Sequence, residues 1–125
     1  MLHSVAMAKI INYRDLEVWQ RAIDLTGLVY DITAKFPREE RHGLSAQMRK
    51  AAVSIPSNIA GGTRHRTPGY VSRVIISLGA HAELETQGII ADRRHYISPN
   101  DMKLFEKLAA STGQLAHGLL RSLDT

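Results

Sequence analysis

Six cationic side chains, Arg41, Arg49, Lys50, Arg64, Arg66 and Arg73, fall between residues 41 and 82, and no acid interrupts them. The other ten lysines and arginines share the rest of the chain with all twelve acids. An acid-free stretch of this kind suits phosphate, which arginine holds through its planar fork and lysine as a point charge. Arg49, Lys50, Arg64, Arg66 and Arg73 are therefore candidate nucleic-acid contacts. The competing reading is a solvated surface, or one that pairs with the acidic half of a second copy. Arg93 and Arg94 are expected to return near the start of the second helix and extend the strip. Tyr70 is the one aromatic residue among these cations, so there is little to stack on single-stranded bases.

A second set of polar residues falls where helical periodicity puts a core. Gln47 and Asn58 share the stripe of Leu44, Met48, Ala51, Ala52, Ile55 and Ile59, with Ser54 at its edge. Glu85 shares the stripe of Val71, Ile75, Leu78, Ala82 and Ile89. A buried amide or carboxylate must find partners. Gln47, Ser54, Asn58 and Glu85 are expected to form a hydrogen-bond network that sets helix register, or alternatively to line a site. Glu85 is expected near Gln47 or Arg49, and Asn58 near the carbonyl that Pro56 leaves free.

Catalytic patterns are missing. A di-metal carboxylate bundle needs inward Glu on two helices and Glu-x-x-His on the other two. The chain has that spacing at Glu39 and His42, in a turn, and His81, Glu85 and His117 supply no full ligand set. His3, His65 and His95 fall in tails or turns. With no cysteine, disulfides, zinc fingers and thiol catalysis are excluded. No P-loop, nucleophile elbow or zincin motif occurs. Gly61-Gly62 ahead of Arg64 and Arg66 is compatible with a phosphate cradle, and helix capping explains the pair equally well. The expectation is a protein that is not an enzyme and holds no cofactor or metal. A metal-dependent enzyme built on Glu85, Asn58, His81 and His117 is the remote alternative.

These residues need positioning elements. The chain has 125 residues, 44% apolar and 22% charged, with net charge +4, as expected for one globular domain. Residues 13–123 form that domain and 1–12 a tail, with Met7 a second candidate start. No apolar run nears the ~20 residues that span a bilayer, and the N-terminus lacks the pattern of a secretory signal. A cytoplasmic protein without membrane contact is expected. Periodicity predicts an all-α fold: helices from about Asp15 to Lys35, Gly43 to Ala60, Thr67 to Arg93 and Ser98 to Ser122. Short connections make neighbours antiparallel, as in an up-down four-helix bundle. The first helix carries two apolar stripes. Val18, Ala22, Leu25, Val29, Ile32 and Phe36 suit the core. Leu16, Trp19, Ile23 and Tyr30, roughly 120° away, are either extra core or a subunit interface.

The phrases Tyr13-Arg14-Asp15-Leu16-Glu17-Val18-Trp19-Gln20, Phe36-Pro37-Arg38-Glu39-Glu40, Gly43-Leu44-Ser45-Ala46-Gln47-Met48-Arg49-Lys50-Ala51-Ala52, Ser54-Ile55-Pro56-Ser57-Asn58-Ile59-Ala60 and Ala82-Glu83-Leu84-Glu85-Thr86 occur in this order. Through them the chain resembles the four-helix-bundle protein family encoded in intervening sequences of bacterial large-subunit ribosomal RNA genes. The resemblance covers residues 13–123. It implies a bundle that assembles into a ring, most often a pentamer, with an RNA- or DNA-related role. More remotely the chain is similar to the accessory proteins of diversity-generating retroelements. That likeness implies a basic surface for RNA and a polymerase or reverse transcriptase as a possible partner. Gln47, Arg49, Ser54, Asn58, Glu83 and Glu85 match the family motif. Two departures stand out: Gly61 where the family has Glu, and Ala80-His81 where it has Ser-Leu.

Overall fold

A computed structural model describes residues 12–123, so residues 1–11 of the expected tail 1–12, Met7 among them, lie outside the described residues. Four α-helices, two short 3-10 turns and no strand occur among the described residues. The α-helices are α1 (Glu17–Thr33), α2 (Leu44–Gly62), α3 (Thr67–Arg93) and α4 (Pro99–Leu123). Each packs on two others: α1 on α2 and α4, and α3 on α2 and α4.

The helix boundaries follow local chemistry. Asn12 caps a short 3-10 turn, Tyr13–Asp15, by accepting from the Arg14 N–H at 3.0 Å. Helix α1 therefore begins two residues later than expected. Glu40 Oε1 accepts from the Leu44 N–H at 3.1 Å and so caps α2, satisfying an amide that has no partner within the helix. Ser98 caps α4 by accepting from the Asp101 N–H at 3.2 Å. Thr67 is the first residue of α3 rather than its cap. At the other end of α3, His95 adopts φ 61°. The N–H groups of His95 and Tyr96 bond back to the Asp92 and Ala91 carbonyls at 2.9 and 3.0 Å. This is a Schellman ending with histidine at the left-handed position that glycine usually holds.

The first stripe of α1 is buried as expected: Val18, Ala22, Leu25, Val29 and Ile32 are each at most 5% exposed, with Phe36 beside them. Met48, Ala51, Ala52, Ile55 and Ile59 of α2 face them. Each large apolar side chain so buried contributes roughly 1.5–3 kcal/mol.

Helix α3 corrects the expected stripe. Its buried residues are Tyr70, Val74, Ser77, Ala80, His81, Leu84, Gly88 and Ala91, whereas Ile75 and Ile89 lie on the outside with Ile76 and Ile90. The inward face is built from small and polar residues because neighbours approach closely. A β-carbon at Gly88 would run into the Phe105 ring of α4. The Ser77 hydroxyl donates to the Ile55 carbonyl at 3.0 Å, and His81 Nε2 lies 2.6 Å from the Ala109 carbonyl oxygen.

Pro56 sits inside α2 and lacks the N–H that would bond the Ala52 carbonyl. The expected donor to that carbonyl, Asn58, instead donates to Ser54 O and Oγ at 2.9 and 3.0 Å. The Ala52 carbonyl receives Thr26 Oγ1 from α1, at 3.1 Å.

Candidate nucleic-acid interface

The five candidate cations divide between the two ends of α2. Arg49 and Lys50 stand near its start. Arg64 and Arg66 occupy the turn after it, and Arg73 lies on α3 beside that end. At 1.5 Å per residue, Arg49 and Arg64 are about 20 Å apart along the helix. Lys50, Arg64 and Arg66 are exposed, Arg49 and Arg73 half-buried. Among the described residues none of the five forms an ion pair within 4.0 Å; the pairs present involve Arg21, Lys35 and His81. The cations are thus available to a polyanion, in two clusters rather than one strip. Arg93 and Arg94 belong to the Arg49 end. Tyr96, just beyond them, donates to Glu40 Oε2 at 3.1 Å across to the start of α2.

Two of the cations have their geometry set by neighbours. Arg49 donates from Nε to Thr33 Oγ1 at 2.8 Å and from Nη2 to the Tyr30 carbonyl oxygen at 3.4 Å. Its guanidinium lies over the Tyr30 ring, 4.6 Å from the centroid, where a cation is attracted to the ring face. Arg73 lies across Gly61 and Gly62. A β-carbon at Gly61 would collide with the Arg73 guanidinium, and one at Gly62 would come within 2.9 Å of the Tyr70 ring. Close approach of α3 explains these glycines; they are the last two residues of α2, ahead of its C-cap Thr63, and form no loop. Position 61 has no acid to pair Arg73, and the Arg73 Nε is buried without a partner.

Tyr70 is 3% exposed and packs with Val74 and Leu123, so it is no platform for a base. Burial raises its phenol pKa above the ordinary 10.0, since the phenolate is the form burial disfavours.

The expected polar network is not gathered. Gln47 and Glu85 are exposed, and the inward face of α3 lies elsewhere, so neither needs a buried partner. Asn58 and Ser54 bond to each other within α2. Glu85 faces His81 Nδ1 at 3.5 Å on its own helix. Gln47 and Ser54 instead line an open groove of about 370 Å³ with Lys50, Glu83 and Gln87.

The second stripe of α1 is divided. Leu16 and Trp19 pack against the core, while Ile23 and Tyr30 are 42% and 44% exposed. Trp19 and Ile23 border an apolar groove with Val53 and Pro56 of α2. The sequence reading missed two exposed isoleucine pairs on α3, Ile75 with Ile76 and Ile89 with Ile90, each residue about half exposed. The signal was present in part: of the stripe assigned to the core, Ile75 and Ile89 face outward, while Val71 and Leu78 pack against the core. Arg38 was missed because Glu39 and Glu40 follow it and hide it from a charge count.

Among the described residues no three His, Cys, Asp or Glu side chains gather to hold a metal ion, and no helix is long and apolar enough to cross a membrane. No curated protein matches the chain. A family model does match, over residues 14–118: that of the 23S rRNA-intervening sequence protein.

Proposed function

The chain belongs to the 23S rRNA-intervening sequence protein family, and from that premise we propose that it is a non-enzymatic, homo-oligomeric helical bundle that binds nucleic acid, RNA foremost, through cations of α2 and α3. The observation that carries the reading is the unpaired state of Arg49, Lys50, Arg64, Arg66 and Arg73 in a stretch without acids. An up-and-down bundle is supported by the pairings Thr26 with Ala52, Ser77 with Ile55 and His81 with Ala109. The exposed Ile23 and Tyr30, with the α3 isoleucines, support self-association into a ring, a pentamer by the resemblance. A ring multiplies weak phosphate contacts into avidity. The protein acts in the cytoplasm and needs no cofactor.

The test is affinity for RNA and DNA over a salt series. Binding weakens steeply as salt rises, and replacing Arg64 and Arg66 by Ala weakens it equally for all sequences. Absent or salt-insensitive binding to both nucleic acids overturns the reading.

The α3 isoleucines favour a second reading, an interaction scaffold on which a polymerase or reverse transcriptase docks. A partner retained after nuclease treatment, and lost on Ile76→Glu, supports it.

A further inference from the structure

The end of α1 and the start of α2 enclose a groove of about 330 Å³ whose lining includes Thr33, Phe36, Arg38, Arg41, Ser45 and Arg49. Three arginines, Arg38, Arg41 and Arg49, are among its lining residues, and among the described residues none has an ion pair within 4.0 Å. Glu40 belongs to the same turn, but its two carboxylate oxygens accept from the Leu44 N–H and the Tyr96 hydroxyl. That carboxylate forms no ion pair with the arginines within 4.0 Å. Arg49 is fixed by Thr33 and Tyr30 through Nε and one terminal nitrogen, which leaves its other terminal nitrogen free. Ser45 is 6% exposed, and its hydroxyl has no protein partner among the described residues. Phe36 and Pro37 are also part of the lining of this open, mostly polar groove. Three unneutralised cations and a free hydroxyl around one concavity match the donor needs of a single phosphate group.

We propose that this groove is a phosphate-binding site in which Arg38, Arg41 and Arg49 hold one phosphate of a nucleic-acid strand and Ser45 donates a further hydrogen bond. The proposal rests on the nucleic-acid reading above and gives it a specific seat, at the opposite end of α2 from Arg64 and Arg66.

Two measurements test it. The first follows the arginine Nε–Hε resonances of the full chain as inorganic phosphate replaces chloride at constant ionic strength. Arg38, Arg41 and Arg49 shift together and saturably, and Arg38→Ala with Arg41→Ala abolishes the Arg49 response. Both replaced residues are exposed in a surface turn, and an unchanged helical circular dichroism spectrum verifies the fold. Independent or unsaturable shifts overturn the site, even where Arg64→Ala with Arg66→Ala still weakens strand binding. The second measures single-stranded RNA binding over a salt series. One shared phosphate predicts that the double variant lowers the log–log salt slope by about 0.7, whereas two separate contacts predict about 1.4. The larger loss, or none, overturns convergence on one phosphate. Saturable response to inorganic phosphate without any strand binding overturns the strand assignment and the nucleic-acid reading together.

Discussion

The Thr26 hydroxyl of α1 lies 3.1 Å from the Ala52 carbonyl oxygen of α2, the acceptor that Pro56 deprives of its helical partner. A proline inside one helix is thus answered by a threonine on its neighbour. The hydroxyl also lies 2.8 Å from the Ala22 carbonyl oxygen of its own helix, so its position is defined from both sides. Thr26→Val keeps the shape and removes the donor, leaving a buried carbonyl unsatisfied at a cost of about 1–3 kcal/mol. In a Pro56→Ala background the alanine N–H restores the helical bond, and the same change costs much less. Urea unfolding of the four proteins measures the coupling; equal losses in the two backgrounds contradict the assignment.

His95 supplies a second prediction. Its φ of 61° is a conformation that costs an L-residue about 1 kcal/mol or more and glycine almost nothing. Its side chain is exposed, so little packing is lost on truncation. His95→Gly raises stability by about 1 kcal/mol or slightly less, because glycine also gains freedom in the unfolded chain. A thermal midpoint that falls rather than rises contradicts it.

Tyr70 gives a pH dependence. Its folded pKa lies above 10.0, and its unfolded pKa is about 10. Below that value both states hold the proton and the residue contributes no slope. Above it the unfolded chain releases the proton first, so the native state binds more protons and stability falls as pH rises. Denaturant midpoints measured between about pH 8 and 11 decline more steeply for the natural protein than for Tyr70→Phe. Parallel curves contradict the assignment.

The apolar surfaces of α1 and α3 can be separated by mutation. Ile23 and Ile76 are 42% and 51% exposed, so a glutamate at either position shifts monomer stability by only about 0.5 kcal/mol. Within an assembly interface the same change buries a charge and dissociates the complex. Light scattering of Ile23→Glu and Ile76→Glu reports which face associates. A mass of 13.9 kDa for the natural protein at micromolar concentration excludes both.

The α1 core was legible because large apolar residues recur there every three or four positions and face inward together: Val18, Leu25, Val29 and Ile32. The same rule misplaced α3, whose inward face holds Ser77, Ala80, His81, Gly88 and Ala91 beside Tyr70, Val74 and Leu84. Hydropathy favours the bulkiest stripe, while the packing of α3 selects for smallness and hydrogen bonding. The cationic stretch was also legible, but not its division, since charge density along a chain takes no account of helical rise. No local pattern reveals that Thr26 serves the Ala52 carbonyl, because the need arises from Pro56 on a different helix. Arg49 could be named from sequence, but the groove it shares with Arg38 and Arg41 depends on how the α1–α2 turn folds.

Leu123 packs with Tyr70 and Val74, and Tyr13 borders the same groove as Ser57 and Ala60. Both extremities of the described chain therefore emerge beside the α2–α3 turn, far from Glu40 and Tyr96. A label placed on Tyr13 or on Leu123 itself therefore stands beside Arg64 and Arg66 and leaves the Arg38 side facing free solution. Binding experiments read from such a label will consequently weigh the two arginine clusters differently.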